Sequence, residues 1–172
     1  MTSHPLQAEP PRAAVHAALQ YLTFVLGGEV FAMGIATVRE IIQHAPLTVV
    51  PLMPPCVRGV VNLRGAVVPV IDLQSRLGRA VTHAGKKTCI VICDADSAGD
   101  KLRLGLMVDA VSEVIDIAPS DIGPPPQFGT TVARDFIQGM GRVDGAFIVI
   151  LDPARALDID ALVSLAGPAP RL

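Results

Sequence analysis

The chain has 172 residues, 51% of them hydrophobic but only 3% aromatic and none Trp, and its formal net charge is −2. That composition suits one compact domain or two small ones with a Val, Ile and Leu interior. No Lys/Arg cluster is dense enough to track a phosphate backbone, which argues against nucleic acid, and the longest apolar runs, such as AVVPVI, are far too short for direct membrane insertion.

Residues 1–18 are rich in Pro, Ala and His, lack strand alternation and show no basic start followed by an apolar core. They read as a flexible tail with no secretory signal, so the expected compartment is the cytoplasm. A strand is expected over Gln20–Leu26, then Gly27-Gly28 as a two-residue hairpin turn, then a strand through Val30 to Gly34. The period is mixed over residues 35–42, with Val38, Ile41 and Ile42 as the inward candidates. The four prolines of HAPLTVVPLMPP, residues 44–55, rule out a central strand or helix interior and imply an extended connector. Next comes RGVVNLRGAVVPVIDLQSRL, residues 58–77: a strand, a tight Gly turn, a strand, and Asp72 to cap a short helix.

After a polar loop over residues 78–87, the segment 88–93 reads as a buried strand, DADSAGDK as a loop, and 102–108 as the hairpin partner. Residues 111–117 parallel 38–44, and SDIGPPPQFGTT, residues 120–131, forms a second proline-rich connector. QGMGRVDGAFIVILDPARAL then repeats the 58–77 stretch: Gly59 aligns with Gly139, Gly65 with Gly145, Asp72 with Asp152 and Leu77 with Leu157. Further upstream, FAMGIATVREII resembles LGLMVDAVSEVI, aligning Val38 with Val111 and Glu40 with Glu113. Such internal repetition fixes an architecture before any single element does. Two similar β units are expected, about 20–77 and 88–157, each a small antiparallel barrel or sandwich. A short helix over 160–166 and a tail over 167–172 complete the chain.

Three cysteines cannot complete a disulfide set. Cys89 and Cys93, four apart on one strand, stand about 13 Å apart on one face, beyond the roughly 7 Å reach of a disulfide and too far to share a metal. Both are expected to be buried, reduced thiols.

Arg64 is the most informative residue. The second copy turns on Asp144-Gly145, a strong type I′ pair, whereas the first has Arg64-Gly65, and Arg gains nothing from positive φ. Either a carboxylate or binding surface holds it there, or the loop is longer, with Asn62 in the special conformation and Arg64 solvated. Glu40, inside an apolar stretch, either pairs with a cation such as Arg64 or sits on an ordinary exposed face. Pro69 replaces the Val149 of the second copy and implies an edge, a bulge or a barrel corner.

Enzyme-like patterns fail. GMGRVDG places Asp144 at the third Gly position of a dinucleotide fingerprint, and DADSAGD has Ala98 and Gly105 where a calcium loop needs ligands. No constellation is catalytic, no cofactor or metal is implied, and the chain is not expected to be an enzyme. A small thiol or metal enzyme using Cys56 or His44 is the rival from another class.

VREI, residues 38–41, the proline-rich connector, and RGVVNLRGAVVPVIDL closely resemble the CheW-type coupling proteins of bacterial chemotaxis, from about residue 20 to 165. The NLRG turn, residues 62–65, is the most specific part. The resemblance implies a mainly β fold of two intertwined, five-stranded SH3-like barrels with short helices. It also implies an adaptor without chemistry: one barrel surface binds the regulatory domain of the histidine kinase CheA, and a groove between the barrels binds a chemoreceptor's cytoplasmic tip, recruiting the protein to receptor arrays. Val38, Glu40, Gly59 and Arg64 match positions implicated in those contacts, and Ile41, Asn62 and Gly65 complete the expected protein-binding set. No receiver, ATP-binding or phosphotransfer segment is present. A CheW-like scaffold for another output, pilus motility or cyclic-dinucleotide control, is the alternative.

Overall fold

Glycine turns and β-branched runs divide the chain into short strands, and the computed structural model, which describes residues 19–97, 100–125, 136–152 and 155, follows that punctuation closely. β1 (Gln20–Leu26) and β2 (Glu29–Gly34) form a hairpin on Gly27-Gly28. A 3-10 turn, Ile35–Thr37, leads into β3 (Val38–Gln43); the connector then delivers the chain to β4 (Val57–Leu63) and β5 (Ala66–Asp72). Asp72 accepts a hydrogen bond from Ser75 N and caps the single-turn helix α1 (Leu73–Arg76), as the DLQS sequence predicts. β6 (Cys89–Ser97), β7 (Asp100–Val108) and β8 (Ala110–Asp116) follow, then the two-residue β9 (Ile122–Gly123), β10 (Ile137–Val143) and β11 (Ala146–Leu151).

The strands form two sheets, ordered β8-β1-β2-β11-β10-β9 and β3-β6-β7-β5-β4. Each contains one parallel junction, β2 with β11 and β5 with β7. The hairpin β1–β2 of the first repeat therefore lies in the sheet built by the second repeat, and β6–β7 of the second lies in the sheet of the first. The repeats exchange their leading hairpins. The chain is thus mainly β, with two barrel-like subdomains of five long strands each, β9 being a short addition. The copies also match in detail: Asp72 N donates to the Cys56 carbonyl and Asp152 N to the Phe136 carbonyl, at 2.6 and 2.8 Å.

Each sheet has its own apolar interior. Val61, Val68, Val70, Ile90, Ile92 and Met107 fill one, and Tyr21, Ala32, Ile117 and Ile150 the other. The largest cluster joins them, packing Leu22, Phe24, Phe31 and Leu151 of one sheet with Ile71, Val91, Leu104 and Leu106 of the other. The interior is aliphatic, as the composition demands.

Several expectations are corrected. The DADSAGDK loop is mostly strand, with Asp94 paired to Arg103 and Ser97 to Asp100, because the β6–β7 ladder runs on to that last pair. Ile41 faces outward and is 41% exposed, while Glu40 is half-buried, since β3 keeps period 2 beyond a bulge between Val38 and Glu40. Pro69 sits on an interior strand, but pairing to β7 starts only at Val70, so the first half of β5 is a local edge that tolerates the missing N–H. Cys93 is buried but Cys89 is only partly so. The expected helix over 160–166, both tails and the second connector beyond residue 125 lie outside the described residues.

Candidate functional site

Arg64 and Gly65 are the two central residues of the β4–β5 turn, flanked by the pair Leu63 and Ala66. Their φ values, 52° and 86°, are both left-handed, as are the 51° and 81° of Asp144 and Gly145 in the second copy. Both turns are therefore type I′, and the longer-loop alternative is ruled out. Asn62 keeps its strand position, and its side-chain Oδ1 accepts from Gly65 N at 2.9 Å. A non-Gly residue with positive φ is uncommon and prompts the question of what holds it.

What holds Arg64 is Glu40. Nη1 and Nη2 donate to Glu40 Oε1 and Oε2 at 2.5 and 2.9 Å, a bidentate fork. β3 and β4 are the two edges of their sheet, so this pair spans the seam between them. The Arg64 side chain is 71% exposed and that of Glu40 28%. The hydrogen bonds from Arg64 hold the Glu40 carboxyl below the ordinary carboxylate range, and the carboxylate raises the guanidinium in return. A second charged group lies on the neighbouring strands: Asp94 of β6 accepts from Arg39 at 2.5 Å and from Arg103 at 3.5 Å. Those bonds, Arg39's foremost, depress the Asp94 carboxyl.

Gly59 has a different role. It sits at the β4 bulge with φ 148°, buried beneath the connector, where Thr48 bridges to Val60. A Cβ there would stand 2.5 Å from the Thr48 carbonyl oxygen; at the matching Gly139 it would stand 2.8 Å from the carbonyl oxygen of Gly123 in β9. Both glycines exist because another backbone crosses them. Of the expected set, Val38, Glu40 and Ile41 share β3, while Asn62, Arg64 and Gly65 share the β4–β5 turn. The ion pair brings the two groups together, whereas Gly59 meets the connector at Thr48 and Leu47.

The β3–β7 barrel also exposes apolar side chains: Val67, opposite Asn62 in the β4–β5 hairpin, is 69% exposed, and Val49 and Leu52 of the connector 75% and 72%. Leu52 also has φ 63°. These residues read in sequence only as connector and strand, and no periodicity marks them as surface. A buried knot was missed as well. Arg58 Nη1 donates to Asp72 Oδ2 at 2.9 Å and to the Thr82 carbonyl at 3.0 Å, while Thr82 N and Oγ1 both donate to Asp72 at 2.8 Å. Only the polarity of the 78–87 loop hinted at it.

Among the described residues no group of three or more His, Cys, Asp or Glu is arranged to hold a metal, and no helix is long and apolar enough to cross a membrane. Burial pushes the Cys93 thiol up to about 12 and raises that of Cys56.

Residues 20–161 match the CheW-like domain family model. The chain is 33% identical to the chemotaxis protein CheW of Rhizobium meliloti over 77% of this chain and 83% of that one. It is 28% identical to the chemotaxis protein CheW of Klebsiella aerogenes over 83% and 84%. The crystal structure of the scaffolding protein TtCheW from Thermoanaerobacter tengcongensis superposes with a TM-score of 0.72 at 34% identity, over 81% of this chain and 92% of that one. With the hairpin-exchanged β architecture, the Arg64 turn in the NLRG segment and a family match spanning both repeats, the chain belongs to the CheW-like domain family.

Proposed function

We propose that this protein is a non-enzymatic, cytoplasmic adaptor that couples chemoreceptors to the histidine kinase CheA. The observation that carries the reading is the Glu40–Arg64 fork: an exposed arginine in a strained turn, fixed by a carboxylate from the opposite edge of the sheet, is a preorganised contact rather than a solvated side chain. Exposed Val67, paired with Asn62 across the hairpin that carries Arg64, supplies aliphatic area beside it. Val38, Glu40, Ile41, Asn62, Arg64 and Gly65 form the protein-binding set, and Gly59 shapes it. Transient signalling interfaces of this kind need not exceed roughly 1,200 Å². Coupling also requires that the adaptor contact the two receptor states differently, since equal affinity shifts nothing.

The test is a co-purification of the full chain with the regulatory domain of the cognate kinase and with a receptor cytoplasmic fragment, followed by kinase assays of the ternary mixture. Binding to both with altered kinase activity is the expected result. Binding to neither rejects the coupling role and leaves a scaffold for another signalling output.

A further inference from the structure

The segment between α1 and β6, residues 78–88, has no regular structure, yet it is pinned at both ends. At one end Thr82, 1% exposed, is held by Asp72, Arg58 and Gln74, whose Nε2 donates to Thr82 Oγ1 at 3.1 Å. At the other, Gly85 N donates to Thr88 Oγ1 at 2.7 Å and Thr88 N donates back to the Gly85 carbonyl at 3.3 Å. That reciprocal pair closes a tight turn with Lys86 and Lys87 at its tip. The buried Asp72 carboxylate is offset by its pairing with Arg58 and its hydrogen bonds from Thr82, and the same bonds hold the loop in one shape.

The fixed loop walls a cleft of about 510 Å³ whose lining includes Gln74, His83, Lys86, Lys87, Thr88 and Asp109. Lys86 and Lys87 are exposed and make no ion pair among the described residues. Asp109, the one acidic residue of the lining, spends an oxygen on Gly27 N at 2.7 Å. Next to Gln74, around the Gly27 turn, stands Arg79. Its Nη2 pairs with Glu29, and its buried Nη1 has no hydrogen-bond partner among the described residues. Cations thus outnumber anions here on a chain whose net charge is −2.

We propose that this cleft receives an oxyanion, a phosphoryl or carboxylate group, with Lys86 and Lys87 as its charged donors and the Gln74 amide as a neutral one. Lysine suits this role as a mobile point charge, and the pinned turn spares the cost of ordering the loop on binding. None of the protein-binding set lines the cleft, so the inference is independent of the adaptor reading.

The experiment is an amide NMR titration of the full chain at constant ionic strength, with inorganic phosphate in one arm and a tetraglutamate peptide in the other. The expected result is saturable shifts at residues 85–88 and at the Gln74 side chain with at least one probe. Lys86→Ala with Lys87→Ala should weaken binding at least tenfold without disturbing other resonances, and Lys86→Arg with Lys87→Arg should retain it. Saturation by phosphate alone identifies a phosphoryl ligand, and by the peptide alone an acidic protein segment. Absence of saturable shifts in both arms, or shifts that survive the double alanine variant, overturns the proposal.

Discussion

Arg64 is fixed by three things at once: the geometry of a type I′ turn, the Asn62 oxygen that closes it, and the Glu40 carboxylate across the seam. Being 71% exposed, it contributes little to folding. Arg64→Glu should therefore weaken kinase or receptor binding by roughly tenfold and shift Tm by no more than about 2–4 °C. Glu40→Arg in that background restores the fork with its charges exchanged and should recover part of the binding; purely additive losses in the double-mutant cycle would break the link between the pair and the interface. The turn and its odd arginine were legible in NLRG beside VDG. The partner was legible only as a candidate, because 24 residues and an edge-to-edge closure separate Glu40 from Arg64. The thiols allow a second check. Cys93 is buried with its thiol raised to about 12, Cys56 is buried, and Cys89 is partly exposed. A disulfide reagent at pH 8 should therefore label Cys89 first, with Cys56 and Cys93 reacting only on unfolding. Rapid labelling of all three would contradict the packing.

At the scale of elements, what could be read locally was read well. Gly27-Gly28 and Asp144-Gly145 carry their turn type in their own residues, and Asp72 carries its helix cap, whereas Arg64-Gly65 left a longer loop open that its two positive φ values rule out. Contacts made at a distance were not readable. The length of β6–β7 depends on a ladder with the opposite strand, and the outward side of Ile41 on which face of β3 meets the core. Gly59 shows the difference best: its alignment with Gly139 marked it as special, but the cause, the Thr48 carbonyl above it, lies in a connector without periodicity. Gly59→Ala forces both a backbone conformation that side chains rarely adopt and a 2.5 Å approach to that carbonyl. The strain should cost about 1–3 kcal/mol, lowering Tm by roughly 2–12 °C and loosening the connector that carries Val49 and Leu52. Arg64→Glu should lose binding with stability kept, whereas Gly59→Ala should lose both together. If Gly59→Ala lost binding at unchanged Tm in differential scanning calorimetry, Gly59 would be a contact in its own right.

For the whole molecule, the intertwining of the barrels was implied by the family resemblance, but the hairpins that carry it could not be read from the repeat itself. Self-similarity revealed two units and their order, but pairing of β2 with β11 and of β5 with β7 leaves no local signal, because parallel neighbours far apart in sequence share no turn. The exchange has an energetic consequence. The cluster containing Phe24, Phe31, Leu104 and Leu106 belongs to both sheets, so neither barrel can shed it without exposing the other. Unfolding should be one cooperative event, and a fragment covering only residues 20–77 should not fold, since β1–β2 would lose β8 and β11 while β5 lost β7. Leu106→Ala tests the coupling within the intact chain. Leu106 is 1% exposed and lies in the β3–β7 sheet, and its truncation should cost about 2–5 kcal/mol. Because the loss falls on the shared cluster, amide exchange should accelerate by a similar factor in β1–β2 and in β6–β7. Acceleration confined to β6–β7 would mean that the barrels open separately, and a signal applied to one would then have no mechanical route to the other. The proposed coupling role calls for the cooperative outcome.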